Sequence, residues 1–185
     1  MEYTPLKFGS TSEREDYLHA TFADVLGARA VNELICKGFC IAPASTKYHG
    51  AYEGGLFDHS VNVAAVLKRL TINNNLEWGK ATSPDLVGIL HDLCKIDQYL
   101  YDPNSCTYQW NNDVIVKGHG IKSVIYTYEL LSLGLTAEEQ ACILYHMGAF
   151  TEKEEWKDYN AAINKFPNVL WTHTADMIVS QIMEV

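Results

Sequence analysis

The chain has 185 residues, 48% of them hydrophobic, which is enough to bury one substantial core and falls within the usual length of a single domain. It carries 14 Lys and Arg against 23 Asp and Glu, a formal charge of −9, and no zinc-finger, RNA-binding or basic-heptad pattern, so long nucleic acids and anionic membranes are poor partners. Five cysteines in no paired zinc-site pattern, no apolar signal core and no run of membrane-helix length together read as reduced thiols in a cytoplasmic protein with no membrane partner.

Ser10 or Ser12 caps a first predicted helix carrying Tyr17, Leu18 and Phe22, and a second segment through Val31, Leu34 and Ile35 stops near Gly38. Residues 1–45 thus form an N-terminal helical extension expected to pack on the core of a domain spanning 1–185. A loop with Pro43, His49, Gly50 and Gly54 leads to a helix starting near Leu56, whose Val61, Val63, Val66, Leu67 and Leu70 give a broad apolar surface. After a polar connection at 73–82, Ser83, Pro84 and Asp85 supply a cap, a first-turn proline and an acidic first turn. Leu86, Ile89, Leu90 and Leu93 continue at helical spacing, which places His91 and Asp92 inside that helix.

Residues 99–116 mix aromatics with Pro103, Asn104, Asn111 and Asn112 and read as a short hairpin or an irregular insertion. Helices are predicted over 121–133 and, after the Gly134 stop, over 136–147, where Thr136 and Glu139 match a capping box. A polar segment with Trp156, one short helix before Pro167 and a last helix from Trp171 through Met183 complete a compact all-α bundle.

Histidine and aspartate are scattered through these helices. Imidazole and carboxylate together suit a divalent cation and leave positions for water and a phosphate oxygen. Asp176 lies among Met177, Ile178, Val179 and Ile182, and His146 among Ile143, Leu144 and Met147; a buried polar group in such surroundings needs a cation or hydrogen-bond partners. Taken singly, His59 and His119 read as helix-end or solvent-facing histidines, His146 as an interior histidine and Asp176 as half of a salt bridge. Their combination with the His91-Asp92 pair is the more specific signal.

The run Gly-Gly-Leu-Phe-Asp-His at 54–59, Ile-Leu-His-Asp-Leu-Cys-Lys-Ile at 89–96, Gly-His-Gly at 118–120, then His146 and Asp176, resembles the HD-domain superfamily of metal-dependent phosphohydrolases. Around Tyr48-His49, Gly54-Gly55 and His119-Gly120 it is most similar to the branch containing bacterial 3′ to 5′ exoribonuclease catalytic domains, without the oligonucleotide-binding domain that accompanies them. The resemblance implies an HD-type helical bundle in which His59, His91, Asp92 and Asp176 hold one ion. It further implies that His119 and His146 hold a second, bridged by Asp92, although many relatives carry two consecutive histidines where this chain has His146-Met147. Mn2+, Fe2+, Mg2+, Ni2+ and Zn2+ are the candidate ions.

The catalytic set is read as Asp92, Lys95 and His49, with no organic cofactor. Lys95, three residues after Asp92, steadies substrate phosphate or Asp92, or is a solvated lysine snorkelling beside Leu93 and Ile96. His49 binds phosphate or passes a proton to the leaving group, or is an exposed loop histidine. Asp97 orients an imidazole or caps the segment; His173 partners Asp176 or packs its helix. Tyr48, Tyr52, Tyr99, Tyr101, Tyr108 and Trp110 include candidates for stacking on a nucleobase.

The expected function is therefore hydrolysis of a phosphate ester or phosphodiester by metal-activated water, on a small phosphorylated substrate, a nucleotide or a short oligonucleotide. A di-iron oxygenase and a non-catalytic nucleotide-binding or metal-stabilised protein are the alternatives. A homodimer contact would use exposed faces of the N-terminal helices, whereas packing back onto the same core is the simpler account.

Overall fold

The computed structural model describes residues 3–150 and 153–185 and contains, among them, eight α-helices and one two-stranded hairpin. Helix α1 (Thr11–Leu26) is capped by Ser10, not Ser12: the Ser10 hydroxyl accepts the Glu13 N–H. Helix α2 (Ala28–Cys36) closes as the Phe39 N–H reaches back to the Leu34 carbonyl across left-handed Gly38. Leu18, Phe22, Val31 and Leu34 of this pair are buried, and each such side chain contributes ~1.5–3 kcal/mol of hydrophobic stabilisation.

Helix α3 (Gly55–Asn74) is buried almost all round through residues 55–64, since α4 (Ser83–Leu90) and α8 (Asn168–Ile178) both pack on it. The approach of α3 and α4 depends on Gly88: a Cβ there would overlap the Ala64 backbone. Pro84 and Asp85 occupy the first turn of α4 as expected, but Ser83 is not its cap. The helix begins at Ser83 itself, whose buried hydroxyl donates to Glu139 Oε1 at 2.7 Å.

Helix α4 also ends earlier than its apolar periodicity implies. His91 Nδ1 donates to the Gly88 carbonyl at 2.8 Å, taking the acceptor that the Asp92 N–H would use in a continued helix. Asp92, at φ −108° and ψ 20°, therefore leaves helical geometry and leads into a tight 3-10 turn, Leu93–Asp97.

Strands β1 (Tyr99–Asp102) and β2 (Thr107–Trp110) form an antiparallel hairpin, with Tyr99 opposite Trp110 and Asp102 opposite Thr107. Helices α5 (His119–Glu129) and α6 (Ala137–Leu144) pack so closely that a Cβ on Gly120 would overlap the Leu144 carbonyl. Both bonds of the Thr136 and Glu139 capping box are present. Helix α6 stops at Leu144, short of the expected 147: Tyr145, at φ −109° and ψ 16°, leaves helical geometry, and His146 Nδ1 then donates to the Ile143 carbonyl at 2.7 Å.

Helix α7 (Trp156–Lys165) is the short helix before Pro167. Helix α8 begins three residues ahead of Trp171 and widens into a π-helical turn at Val179–Met183. No helix of the described residues is long and apolar enough to cross a membrane.

Candidate metal centre

Five helices deliver the predicted ligand residues to one place. His59 sits on α3, His91 and Asp92 at the end of α4, His119 at the start of α5, His146 just past α6 and Asp176 on α8. Asp92 is the hub and is 2% exposed. Its Oδ2 lies 3.7 Å from His59 Nε2, 3.5 Å from His91 Nε2 and 2.6 Å from Lys95 Nζ. Its Oδ1 faces the opposite group, 3.4 Å from His146 Nε2 and 3.7 Å from His119 Nδ1. Asp176 Oδ1 stands 3.2 Å from His59 Nε2.

The imidazole hydrogens decide what this arrangement can hold. The Nδ1 atoms of His59, His91 and His146 each lie 2.7–2.9 Å from a main-chain carbonyl, those of Val185, Gly88 and Ile143. A carbonyl only accepts, so each Nδ1 carries a hydrogen and each ring turns its Nε2 toward the centre. His59 Nε2 and His91 Nε2 lie 3.2 Å apart. His146 Nε2 and Asp92 Oδ1 are buried with no hydrogen-bond partner among the described residues. Crowded ring nitrogens and a buried carboxylate oxygen without a partner are costly alone and are satisfied by a shared cation.

The donor atoms fall into three sets, within each of which all lie inside 4.8 Å: His59, His91 and Asp176; His91, Asp92 and His146; Asp92, Cys94 and His119. His119 thus groups with Cys94 rather than with His146. Nothing in the local sequence singles out Cys94, apart from its place two residues after Asp92.

Burial sets the charge states. It drives the pKa of His91 down to about 4 and that of His49 down to about 4, the latter helped by His59 and Lys95, so both rings are neutral near pH 7. Burial opposes ionisation of Asp92 as well, but Lys95 and His91 overcome it and hold the carboxylate well below the usual range. Lys95, disfavoured by burial, is raised by the adjacent Asp92. His119 is raised to about 10, first by the neighbouring Asp92 carboxylate and then by Cys94.

Lys95 is 7% exposed and ion-paired, so it is not a snorkelling surface lysine. The His49 ring is seated against His59, centroids 4.9 Å apart, and lines a cavity with Tyr52, Ser180 and Glu184. Asp97 orients no imidazole: its carboxylate takes Lys122 Nζ at 2.5 Å and the Tyr126 hydroxyl at 2.6 Å, tying α5 to the turn after Asp92. His173 donates to the His146 carbonyl at 2.8 Å and so supports His146 rather than Asp176.

Sequence reading also missed a buried clamp. Arg14 of α1 grips Asp58 through Nε at 2.8 Å and Nη2 at 3.2 Å, while the Tyr52 hydroxyl donates to the same carboxylate at 3.0 Å. The clamp joins α1, the His49 loop and the residue preceding His59. Arginine and aspartate that pair across 44 positions leave no local spacing to read.

Of the aromatics, Tyr52, Tyr99, Tyr101 and Tyr108 line one groove of about 780 Å³ with Ile41 and Ile96. Trp110 instead lines a cavity of about 350 Å³ with Asn112, Lys117 and His119, and Tyr48 is 80% exposed.

Compared with protein-family models, curated proteins and solved structures, the chain finds no match in any of the three. The geometry of the site itself therefore carries the functional reading: a buried His/Asp cluster, flanked by Cys94, is positioned to chelate a metal ion in the manner of a metal-dependent active site.

Proposed function

We propose that this protein is an HD-type metal-dependent phosphohydrolase or phosphodiesterase acting on a nucleotide or short oligonucleotide. The observation that carries the reading is the convergence of the Nε2 atoms of His59, His91 and His146 on Asp92, beside a buried lysine. The order His59, His91-Asp92, His119, His146, Asp176 supports it through its resemblance to the HD superfamily.

A bound divalent cation supplies a Lewis acid that lowers the pKa of water and offsets phosphoryl charge. His59, His91 and Asp176, with Asp92 Oδ2, would hold it; Oδ1 faces the donors for a second. Lys95, fixed by Asp92, places a permanent positive charge where a phosphoryl oxygen gains negative charge. Neutral His49 presents an imidazole that accepts or relays a proton beside His59.

The cavity with Trp110, Asn112, Lys117 and His119 offers a base an aromatic face and a phosphate a cation, next to the centre. The charge of −9 works against a grip on long RNA.

Chelator-stripped protein reloaded with Mn2+ is expected to hydrolyse an aryl phosphodiester, with loss of turnover in Asp92→Asn. Absence of turnover across several divalent metals and across mono- and diester substrates overturns the proposal.

A further inference from the structure

Cys94 is fully buried on the 3-10 turn after Asp92, and the hydrolase reading gives it no role. Its main-chain N–H donates to the Ser123 hydroxyl of α5 at 3.1 Å, which pins the residue against that helix. Its Sγ lies 3.6 Å from His119 Nδ1, and Asp92 Oδ1 lies 3.7 Å from the same nitrogen. These oxygen, nitrogen and sulfur donors all fall within 4.8 Å of one another.

A thiol–imidazole hydrogen bond would account for the sulfur-to-nitrogen distance alone. It leaves Asp92 Oδ1 unexplained, a carboxylate oxygen with no hydrogen-bond partner among the described residues, on a residue that is 2% exposed. An ion between the three donors satisfies all of them. A tetrahedral ion with metal–sulfur and metal–nitrogen bonds of about 2.3 and about 2.0–2.1 Å holds those two atoms about 3.6 Å apart, which is the separation found.

We infer that Asp92 Oδ1, Cys94 Sγ and His119 Nδ1 form a thiolate-containing cation site that selects a borderline metal such as Zn2+, Co2+ or Fe2+ over Mg2+. A soft sulfur ligand favours those ions, whereas Mg2+ demands oxygen. On binding, the Cys94 thiol gives its proton to solvent and the thiolate donates a lone pair to the metal. Three protein ligands leave a position open, and the His119 side chain, 30% exposed, lines cavities of about 510 and about 350 Å³ through which a small ligand reaches it. The inference rests on the centre's capacity to bind metal and not on the reaction proposed for it.

The test uses full-length protein carrying Cys36→Ser and Cys106→Ser, which removes the two exposed thiols. Stripped of metal and titrated anaerobically with Co2+, it is expected to develop a near-ultraviolet thiolate-to-cobalt charge-transfer band. Adding Cys94→Ser abolishes the band, retains the visible cobalt absorption of the remaining ligands, and weakens the second Zn2+ at least about tenfold. Zinc-edge X-ray absorption on the background protein with two equivalents bound should show a sulfur scatterer at about 2.3 Å, a readout that does not depend on Cys94→Ser folding.

A spectrum with nitrogen and oxygen scatterers only, or a charge-transfer band unchanged by Cys94→Ser, overturns the sulfur site and leaves the metal-centre reading standing. Failure of Co2+ and Zn2+ to bind at all overturns both.

Discussion

Lys95 and Asp92 share one short contact, 2.6 Å, yet their contributions separate on substitution. Lys95→Met removes a cation that competes for Oδ2 while leaving every proposed ligand in place. Metal affinity by calorimetric titration should hold or rise, whereas kcat/KM toward a phosphodiester should fall ~10²–10³-fold, the usual cost of losing one charge-stabilising donor. Parallel loss of metal and activity would show that Lys95 serves only to shape the ligand set.

His91 and His49 make stability depend on pH in a definite sense. Each has its folded pKa lowered to about 4 against an ordinary value of 6.5, so between those values the unfolded chain binds protons that the native state refuses. Their stabilisation is complete above about pH 6.5 and is lost as pH falls toward about 4. Thermal melts of chelator-treated protein should show the midpoint dropping across that window, less steeply in His49→Gln. A flat profile would contradict neutral buried imidazoles.

At the scale of elements, two helix ends aim imidazoles at the centre. The His91 ring takes the Gly88 carbonyl that the next turn of α4 would need, and past the end of α6 the His146 ring takes the Ile143 carbonyl, so each histidine turns Nε2 toward Asp92. The N-terminal helix is joined to this assembly through Arg14 and Asp58, whose side chains are 7% and 5% exposed. Removing one member leaves a buried charge uncompensated, so Arg14→Ala or Asp58→Ala should each lower unfolding free energy by ~3–5 kcal/mol in denaturant melts. Joint replacement by apolar residues of similar size should cost less than either. Loss below ~1 kcal/mol for the single variants would mean that water reaches the pair.

For the whole molecule, α3, α4, α5, α6 and α8 meet at the centre, so ligand occupancy and folding are thermodynamically linked. A metal present at about 100 times its dissociation constant adds ~2.7 kcal/mol, or roughly 5–10 °C in melting temperature for a domain of this length. Chelation should reverse that shift, and Asp92→Asn should remove most of it. An unchanged melting temperature on adding or removing metal would show that the five helices hold together without a cation.

The sequence determined whatever is settled within a few residues or by residue type. The Thr136 and Glu139 capping box and the Gly38 stop rest on neighbours at short spacing, and both are present in the structure; between Ser10 and Ser12 as cap, and between a hairpin and an irregular insertion within 99–116, the structure takes Ser10 and the hairpin. The order of histidines and aspartates likewise named the residues that the fold brings together, because a cation-binding set is spelled in its side-chain chemistry.

Tertiary structure decided the rest. Apolar periodicity carries His91, Asp92 and His146 onward as helix, whereas in the packed structure the backbone leaves helical geometry at Asp92 and at Tyr145 and both rings are directed at local carbonyls. Cys94 and His119 are 25 residues apart, His146 and His173 are 27, and Arg14 and Asp58 are 44; such contacts form only when helices pack, and no local spacing encodes them. Packing likewise gives Asp92 one oxygen toward His59, His91 and Lys95 and the other toward His119 and His146, an asymmetry that no reading of the His-Asp pair alone contains.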